Sequence, residues 1–457
     1  MNGMLTVFRN AWVDTQLRKK ILYTLLILVL FRLGSCIFVP FLDNAAITQM
    51  ISGASLLSYL DVMTGGALGR GTLLAMSITP YINASIIIQL LTVAIPPLER
   101  LSKEGETGQK KLNKITKFTS LGIAIAQATA FYFTLRNGIN DQSTGTHTAI
   151  LRYGDAFDST SDMFSVVISA ITIIACFVAG ASVIIWLGDR INEHGIGNGI
   201  SMILFAGIVA RLPQTLSSFV GIVSSDPDSM GTNIAFVLIT VIIFVAMIWF
   251  VIFMTNAERR IPVQYAKRVV GRKMYGGQST HIPIKVAMSG VMPIIFAMSL
   301  MSLPQTICFF FGIRGDGQSG HDFWEGFVRF FASTSPAYAI IYFLLIIGFN
   351  YFYVAITYNP VEIANNLKKN NGAIPGYRPG KPTSDFIYNS LNKITLIGAI
   401  FLGVVAIFPI ILSWINPSFS QVSLGGTTML IIVGVALETV RTLESQIMMR
   451  HHPGFLD

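Results

Sequence analysis

Apolar residues in this chain of 457 fall in long charge-free blocks, without the regular polar interruptions of a soluble amphipathic helix. Ile21–Val39 is broken only by Arg32. Thr72–Ile95, Phe118–Leu135, Met163–Gly188, Gly231–Ala257, Val286 to about Ile313, and Phe330–Pro360 carry no charge, and Gly195–Ala210 is a shorter block of the same kind. A helix needs about 20 apolar residues to cross the hydrocarbon core of a bilayer, so these blocks predict eight spans. Ile394–Leu437 runs 44 residues without a charge. That is too long for one helix, and Asn416-Pro417 and Gly425-Gly426 divide it into a ninth and a tenth span. The pattern predicts an all-α polytopic membrane protein with ten transmembrane helices.

The second block has an irregular approach. Leu56–Met63 is helix-like but too short to cross a membrane, and Gly65, Gly66, Gly69 and Gly71 separate it from the following span. Glycine lets backbone turn sharply or approach closely. Irregular backbone at membrane depth is tolerated only inside protein or beside water, so this stretch points to a centre that is open or can open. Pro80, within the second block, removes a backbone donor and predicts a kink. Arg32, if exposed to lipid, would cost roughly 2.5–3.5 kcal/mol; it must face protein or water.

Composition agrees. Hydrophobic residues make up 52% and charged residues 12%, against roughly a quarter charged in soluble domains, and the mean hydropathy is +0.62. The net charge of +9 matters through its placement. With a cytosolic N-terminus, 25 Lys and Arg flank the spans on the cytosolic side and six on the other. The positive-inside bias therefore puts both termini in the cytosol. Residues 1–20 read as a basic cytosolic segment without a signal-peptide cleavage site. Residues 21–211 and 231–447 make two halves of five spans, joined by an external hinge connection at 212–230 and followed by a tail at 448–457. An odd number of spans per half gives inverted, pseudo-symmetric halves. The loops at 256–285 and 359–393 are long, basic and cytosolic. Cys36, Cys176 and Cys308 lie in apolar runs without CxxC spacing and read as small hydrophobes.

The stretches PYINASIIIQLLTVAIP, KEGETGQKK, GIGNGISMILFAGIVARLP, RRIPVQYAKRVVGRKMYGGQSTHIPIKV and NPVEIANNLKKNNGAIPGYRPGKPT closely resemble the SecY family, the pore subunits of bacterial protein-conducting channels. The resemblance extends over essentially the whole chain. It implies a Sec-translocase channel in the bacterial plasma (inner) membrane, with a central pore and plug, that moves unfolded preproteins outward and releases apolar segments sideways into lipid. The implied partners are SecE clamping the halves, SecG at the periphery, SecA or a translating ribosome, and signal-bearing preproteins. SecD/SecF, YidC and membrane lipid complete the set. No cofactor is implied.

Matched onto this chain, the family's aliphatic pore ring is Ile78, Ile82, Ile200, Leu204, Ile295 and Ile431, with Leu204 where isoleucine is usual. Such a ring closes by dewetting and reads no hydrogen-bond pattern. On spacing alone the same residues read as core or lipid-facing aliphatics. The segment 56–71 resembles the plug, with Leu56, Leu57, Tyr59, Leu60, Met63, Gly65 and Gly66; the plainer alternative is an ordinary re-entrant or interfacial segment. Asn83, Gln89, Gln127 and Pro293 are the expected lateral-gate residues, between spans two and three and spans seven and eight. Ala287, in VAMSG, stands where many family members carry asparagine. Arg259, Arg260, Lys267, Arg268, Arg272 and Lys273 in the first cytosolic loop, with Arg378 and Lys381 in the second, are the expected docking residues for SecA or ribosomal RNA. Arginine's planar fork suits carboxylate and phosphate alike. The first loop, with its apolar–polar alternation, reads as a protruding hairpin.

No catalytic constellation is present in the sequence. Gly380-Lys381 is followed by Pro382, and Pro375 stands where a phosphate loop needs its first glycine. HExxH and GxSxG are absent, and the six histidines have no metal-ligand spacing. The chain reads as a non-enzyme driven by a partner. Two rivals remain: an accessory channel of the same type for a restricted substrate set, and a small-solute secondary transporter. The latter would want ionisable residues within its spans, and Arg32 is nearly alone there.

Overall fold

The computed structural model describes residues 12–53, 61, 64–136, 139–141, 146–153, 162–224, 230–265, 268–270, 273–275, 279–310, 322–331, 335–415 and 426–451. Of the expected residues, Leu56, Leu57, Tyr59, Leu60, Met63, Lys267 and Arg272 lie outside this set.

The N-terminal half of the chain builds α1 (Thr15–Gly34), α2 (Asn44–Gly53), α3 (Thr79–Ala94), α4 (Pro96–Lys103), α5 (Glu106–Arg136), a small β1–β2 hairpin (Ile139–Asp141, Thr146–Thr148), α6 (Met163–His194), α7 (Gly199–Val209) and α8 (Leu212–Ser224). The remainder builds α9 (Met230–Asn256), strands β3 (Glu258–Tyr265), β4 (Arg268–Val270), β5 (Lys273–Tyr275) and β6 (Ser279–Lys285), α10 (Met292–Phe310), α11 (Asp322–Phe330), α12 (Pro336–Thr357), α13 (Pro360–Lys369), β7 (Gly372–Ala373), α14 (Lys381–Ile415) and α15 (Gly426–His451).

Among the described residues, six helical stretches are long and apolar enough to cross a bilayer, and α3 with α4, bent by 102°, would make a seventh. The first, seventh and tenth expected spans are occupied by α1, α10 and α15. The long apolar block divides where its breakers stand: α14 ends at Ile415 and α15 begins at Gly426.

Two features differ from expectation. The helix of the second span starts at Thr79, not Thr72, and Pro80 sits in its first turn. There the missing N–H has no intrahelical partner to lose, so Pro80 starts the helix and produces no kink; the sharp bend lies at Ile95, before Pro96-Pro97. Ser77, at φ 47°, turns the chain into this helix. In the 212–230 connection, Leu212–Ser224 is helical. Finally, α2 was not foreseen; Asp43 caps it by accepting from the Ala45 N–H at 2.9 Å.

Three large apolar cores organise the described residues. One joins Val39, Ile47, Leu68, Tyr132, Leu135, Ile173 and Phe177 within the N-terminal half. A second joins α9, α10, α12, α14 and α15 through residues such as Val251, Ile294, Tyr342, Leu402 and Leu430. The third lies between them, combining Ile27, Phe31, Ile78, Ile184, Ile203 and Leu204 with Ile431 and Val435. Outer faces are apolar but exposed, as Leu238 and Trp249 on α9 illustrate; lipid is the solvent such faces require.

The two basic loops fold as one body. β3 pairs antiparallel with β6, from Glu258 opposite Lys285 to Gln264 opposite Ser279, and β7 of the second loop joins the other edge at Gln264 and Tyr265. Ile261 and Val263 point inward onto Ala364, Leu367, Ile374 and Ile387. Pro262 and Pro283 both fit, because neither faces a ladder partner that needs its missing N–H.

Candidate functional site

The turn between α6 and α7 shows how the sequence sets the central seam. Gly195 ends α6 with its N–H on the Ile191 carbonyl at 2.7 Å. Asn198 then caps α7, its side chain accepting from the N–H groups of Ile200 and Ser201, while Asn192 accepts from Gly199 at 2.7 Å. A side chain at Gly199 would meet the Gly188 carbonyl, so glycine is what lets α7 fold back tightly along α6. This hairpin presents Ile200 and Leu204, one turn apart, toward α15.

Ile78 and Ile82 are likewise one turn apart: Ile78 is the N-cap of α3, and its carbonyl accepts from Ile82 N–H at 3.0 Å. Ile295 comes from the first turn of α10 and Ile431 from α15. All six expected ring residues belong to the third core. Ile78, Leu204 and Ile431 are buried, and Ile82, Ile200 and Ile295 are partly buried against them. Four helices thus meet in a patch made of branched aliphatics.

A cavity of about 740 Å³ abuts this patch. Its lining runs from Leu204, Ile295 and Ile431 to Lys285, Glu438 and Arg441. Burial and the neighbouring Arg441 hold the Lys285 ammonium below the usual lysine range, against the opposing pull of Glu258. Arg441 also donates to Asn256 Oδ1 at 2.8 Å and the Thr255 carbonyl at 3.2 Å, tying α15 to the end of α9. Ala287 lies on the cavity wall. Two residues on, buried Ser289 donates to Asn350 Oδ1, and Asn350 Nδ2 donates to the Thr395 carbonyl at 2.9 Å. This polar tie between the approach to α10, α12 and α14 was not legible in the sequence.

On the other side of the ring lies the glycine segment. Gly65, at φ 70°, packs so closely that an added Cβ would stand 2.6 Å from the Gly207 carbonyl oxygen. Its own carbonyl accepts from Arg32 Nη1 at 3.1 Å. That is the partner the intramembrane arginine requires. Asp61, 6% exposed in its side chain, pairs with Arg211 at 2.8 Å. Its second carboxylate oxygen accepts from Gly69 N–H at 2.6 Å, and its carbonyl accepts from Gly66 N–H at 2.9 Å. Leu73 N–H donates to Ile37 and Val39 N–H to Gly71, so the segment is also stitched to the chain leaving α1.

The expected gate residues fall on helices in contact, for α10 packs against both α3 and α5. Asn83 and Pro293 are buried, and Gln89 donates to Ser85 Oγ at 3.3 Å. The buried Gln127 Oε1 has no hydrogen-bond partner among the described residues. Among the docking residues, Arg259, Arg260, Arg378 and Lys381 are exposed, and Arg260 pairs with Glu258 at 2.8 Å. Arg268 and Lys273 lie on the paired strands β4 and β5. The Arg378 carbonyl accepts from Thr383 Oγ1 at 2.8 Å, fixing the turn into α14.

Comparison with known proteins agrees with this architecture. A family profile described as SecY matches residues 72–440. The chain is 41% identical over 463 residues to the protein translocase subunit SecY of Streptomyces galbus, covering 99% of this chain and all of the relative. It is 40% identical over 464 residues to that of Mycobacterium tuberculosis, with the same coverage. In structure it is similar to a solved protein-conducting channel, at TM-score 0.62 and 19% identity over 97% of this chain and 96% of that one. It is also similar to canine Sec61 in a ribosome–channel complex, at TM-score 0.59 and 19% identity over the same shares. These likenesses are those of a multi-pass membrane protein, and the chain belongs to the SecY family.

Proposed function

We propose that this chain is the protein-conducting pore of a bacterial Sec translocase, set in the plasma membrane with both termini cytosolic. The observation that carries the reading is the meeting of six aliphatics from four helices between a cavity lined in part by Lys285, Glu438 and Arg441 and a glycine-rich segment. Branched aliphatics offer ions no polar partner and a passing polypeptide no sequence-specific contact. Such a ring seals by excluding water and accepts any side chain that forces it open.

In this mechanism a signal-bearing preprotein enters from the cytosolic cavity. The segment 56–71 leaves its place, the ring widens, and the N-terminal and C-terminal halves part where α10 meets α3 and α5, which opens the path to lipid. SecA or a translating ribosome docks on the fused cytosolic sheet through Arg259, Arg260, Arg378 and Lys381. SecE holds the halves together and SecG lies at the periphery. The chain carries out no covalent chemistry and draws its energy from the docked partner. The 40% identity to translocase subunits over full length supports this reading above a small-solute transporter.

The test is site-specific crosslinking to a stalled, signal-bearing precursor, with the three native cysteines replaced. A single cysteine is placed at Ile82, at Ile200, or at Leu238, a lipid-facing control 61% exposed. Crosslinks at Ile82 and Ile200 but not Leu238 are expected. Equal crosslinking at all three, or none at the ring while export proceeds, would overturn the assignment.

A further inference from the structure

We infer that Ser289 and Asn350 are positioning residues for the aliphatic ring: their buried tie fixes the rotation of α10 about its own axis, so that Ile295 faces the ring in place of its neighbours. This inference rests on the channel reading above and extends it to two residues outside the ring, plug, gate and docking sets.

The need for such a device follows from the local chain. Between β6 and α10, residues 286–291 form a run of turns. Gly290 stands there at φ 61° with nothing within 4 Å of a built Cβ, so neither its backbone nor its surroundings set the direction in which α10 starts. Successive side chains on a helix point about 100° apart, and the three around the ring position have different surroundings. Ile294 belongs to the second core and Ile295 to the third, while Phe296 meets Phe349 of α12 edge-on, with ring centroids 6.0 Å apart. A rotation of α10 by one residue would put Ile294 or Phe296 where Ile295 stands. Apolar contacts resist that exchange weakly, because all three side chains are apolar and dispersion has no fixed direction.

Ser289 supplies the direction. Among the described residues its hydroxyl makes the one side-chain hydrogen bond from 286–291, donating to Asn350 Oδ1. The acceptor is itself held between α12 and α14, since Asn350 Nδ2 donates to the Thr395 carbonyl at 2.9 Å and the adjacent Tyr351 hydroxyl to the Asn392 carbonyl at 3.4 Å. Ser289, Asn350 and Thr395 are 4%, 2% and 1% exposed. An asparagine buried in so apolar a helix is costly unless its polar atoms are partnered, and here both are. Breaking the tie would strand a buried amide oxygen. The start of the turn is also held: Val286 N–H donates to the Ala257 carbonyl at 2.9 Å, and the Val286 carbonyl oxygen lies 2.4 Å from where a Cβ on Gly398 would stand. With Val286 and Ser289 both fixed, the phase of α10 is set three residues before its first turn.

The test uses the full chain in its translocase complex, with the native cysteines replaced and a signal-bearing precursor stalled across it. Single cysteines are placed at Ile294, at Ile295 and, on α7, at Ile200. With Ser289 and Asn350 intact, Ile295 and Ile200 are expected to crosslink to the precursor and Ile294 is not. Loss of one buried hydrogen bond shifts an equilibrium about fivefold or more. S289A and N350L should therefore lower the Ile295-to-Ile200 crosslink ratio by about threefold or more and raise the Ile294-to-Ile200 ratio. The double variant S289A/N350L should lower the first ratio no further than N350L alone, because both changes remove one tie. Referring each yield to Ile200 separates rotation of α10 from loss of folded channel, and S289A, which removes only a hydroxyl, keeps the test open if N350L folds poorly. Ratios within about twofold of the parent's in both single variants would overturn the positioning role, while crosslinking at Ile200 upheld the channel. Absence of crosslinks at both Ile200 and Ile295 with the tie intact, while export proceeds, would overturn the channel reading and the positioning role with it.

Discussion

Replacing Gly65 with alanine perturbs the closed arrangement where the glycine segment meets α7. Alanine at φ 70° is left-handed and costs about 1–2 kcal/mol. Its Cβ would lie 2.6 Å from the Gly207 carbonyl oxygen and 3.0 Å from the Gly207 Cα. Ordinary contact is about 3.5 Å, so the segment must retreat by roughly 0.9 Å. A movement of that size stretches the Arg32–Gly65 hydrogen bond, now 3.1 Å. Hydrogen bonds to charged groups are worth about 1.5–3 kcal/mol, and Arg32 has no lipid-tolerant alternative. The closed state thus loses about 2.5–5 kcal/mol, and the open state, in which the segment has left Gly207 and Arg32, loses almost none. At about 1.4 kcal/mol per tenfold, the resting open population should rise at least fiftyfold or so. The assay is anion leak from proteoliposomes without precursor. Gly122→Ala is the control, because that glycine lies on the exposed side of α5 with nothing within 4 Å of a built Cβ. If Gly65→Ala leaks no more than Gly122→Ala while both variants transport precursor, the closed-state packing argued here is wrong.

Further outcomes follow from the same contacts. Asn198→Ala removes the α7 cap and should cost about 1 kcal/mol, read as a lowered midpoint in thermal size-exclusion assays of the detergent-solubilised complex. Asn350→Leu strips Ser289 of its acceptor in a buried site and should cost about 1–3 kcal/mol in the same assay, more than Asn198→Ala. Arg378→Glu alters an exposed turn and should leave thermal stability within about 0.5 kcal/mol. It should still weaken SecA or ribosome binding, most strongly at low salt, where charge contacts are least screened.

Much of the architecture was legible because the bilayer imposes one simple demand. Backbone groups in hydrocarbon must be satisfied within a helix, so charge-free length located the blocks in which α1, α3, α5, α6, α7, α9, α10, α12, α14 and α15 lie. The breakers between Ile415 and Gly426 and the alternation in Arg260–Tyr265 were also readable, since they act locally. What escaped was set by tertiary contact. Whether Pro80 kinks or starts a helix depends on where the chain turns, and Ser77 in a left-handed conformation decides it. Arg32 announced a need for a partner without naming it, because the Gly65 carbonyl lies 33 residues away. Pairing of β7 with β3 joins segments more than 100 residues apart, and nothing in GAIPGYRPGKP signals a strand. Asp61 and Arg211 carried no pattern at all; only their apposition gives them meaning.

The division between apolar and polar contacts explains why such a channel can be both tight and responsive. Across the seam, α7 meets α15 through Leu204, Ile431 and Val435, and the Thr439 hydroxyl reaches only the soft Met202 sulfur at 3.4 Å. Dispersion contacts of this kind are individually about 0.1–0.2 kcal/mol and have no fixed direction. Parting them strands no buried donor or acceptor. The cost is exposed apolar area, at about 25 cal/mol per Å², which a polypeptide in the pore returns in part by covering the same aliphatics. Had the seam been closed by hydrogen bonds, every opening would have left orphaned polar groups that an apolar segment could not satisfy. The directional contacts instead sit at the glycine segment, through Arg32, Asp61 and Arg211, where displacement exposes them to water. Hydrophobic substrates should therefore act on the seam and polar mutations on the contacts of the glycine segment, so substrate hydrophobicity and the strength of those contacts should trade against each other in setting the threshold for transport.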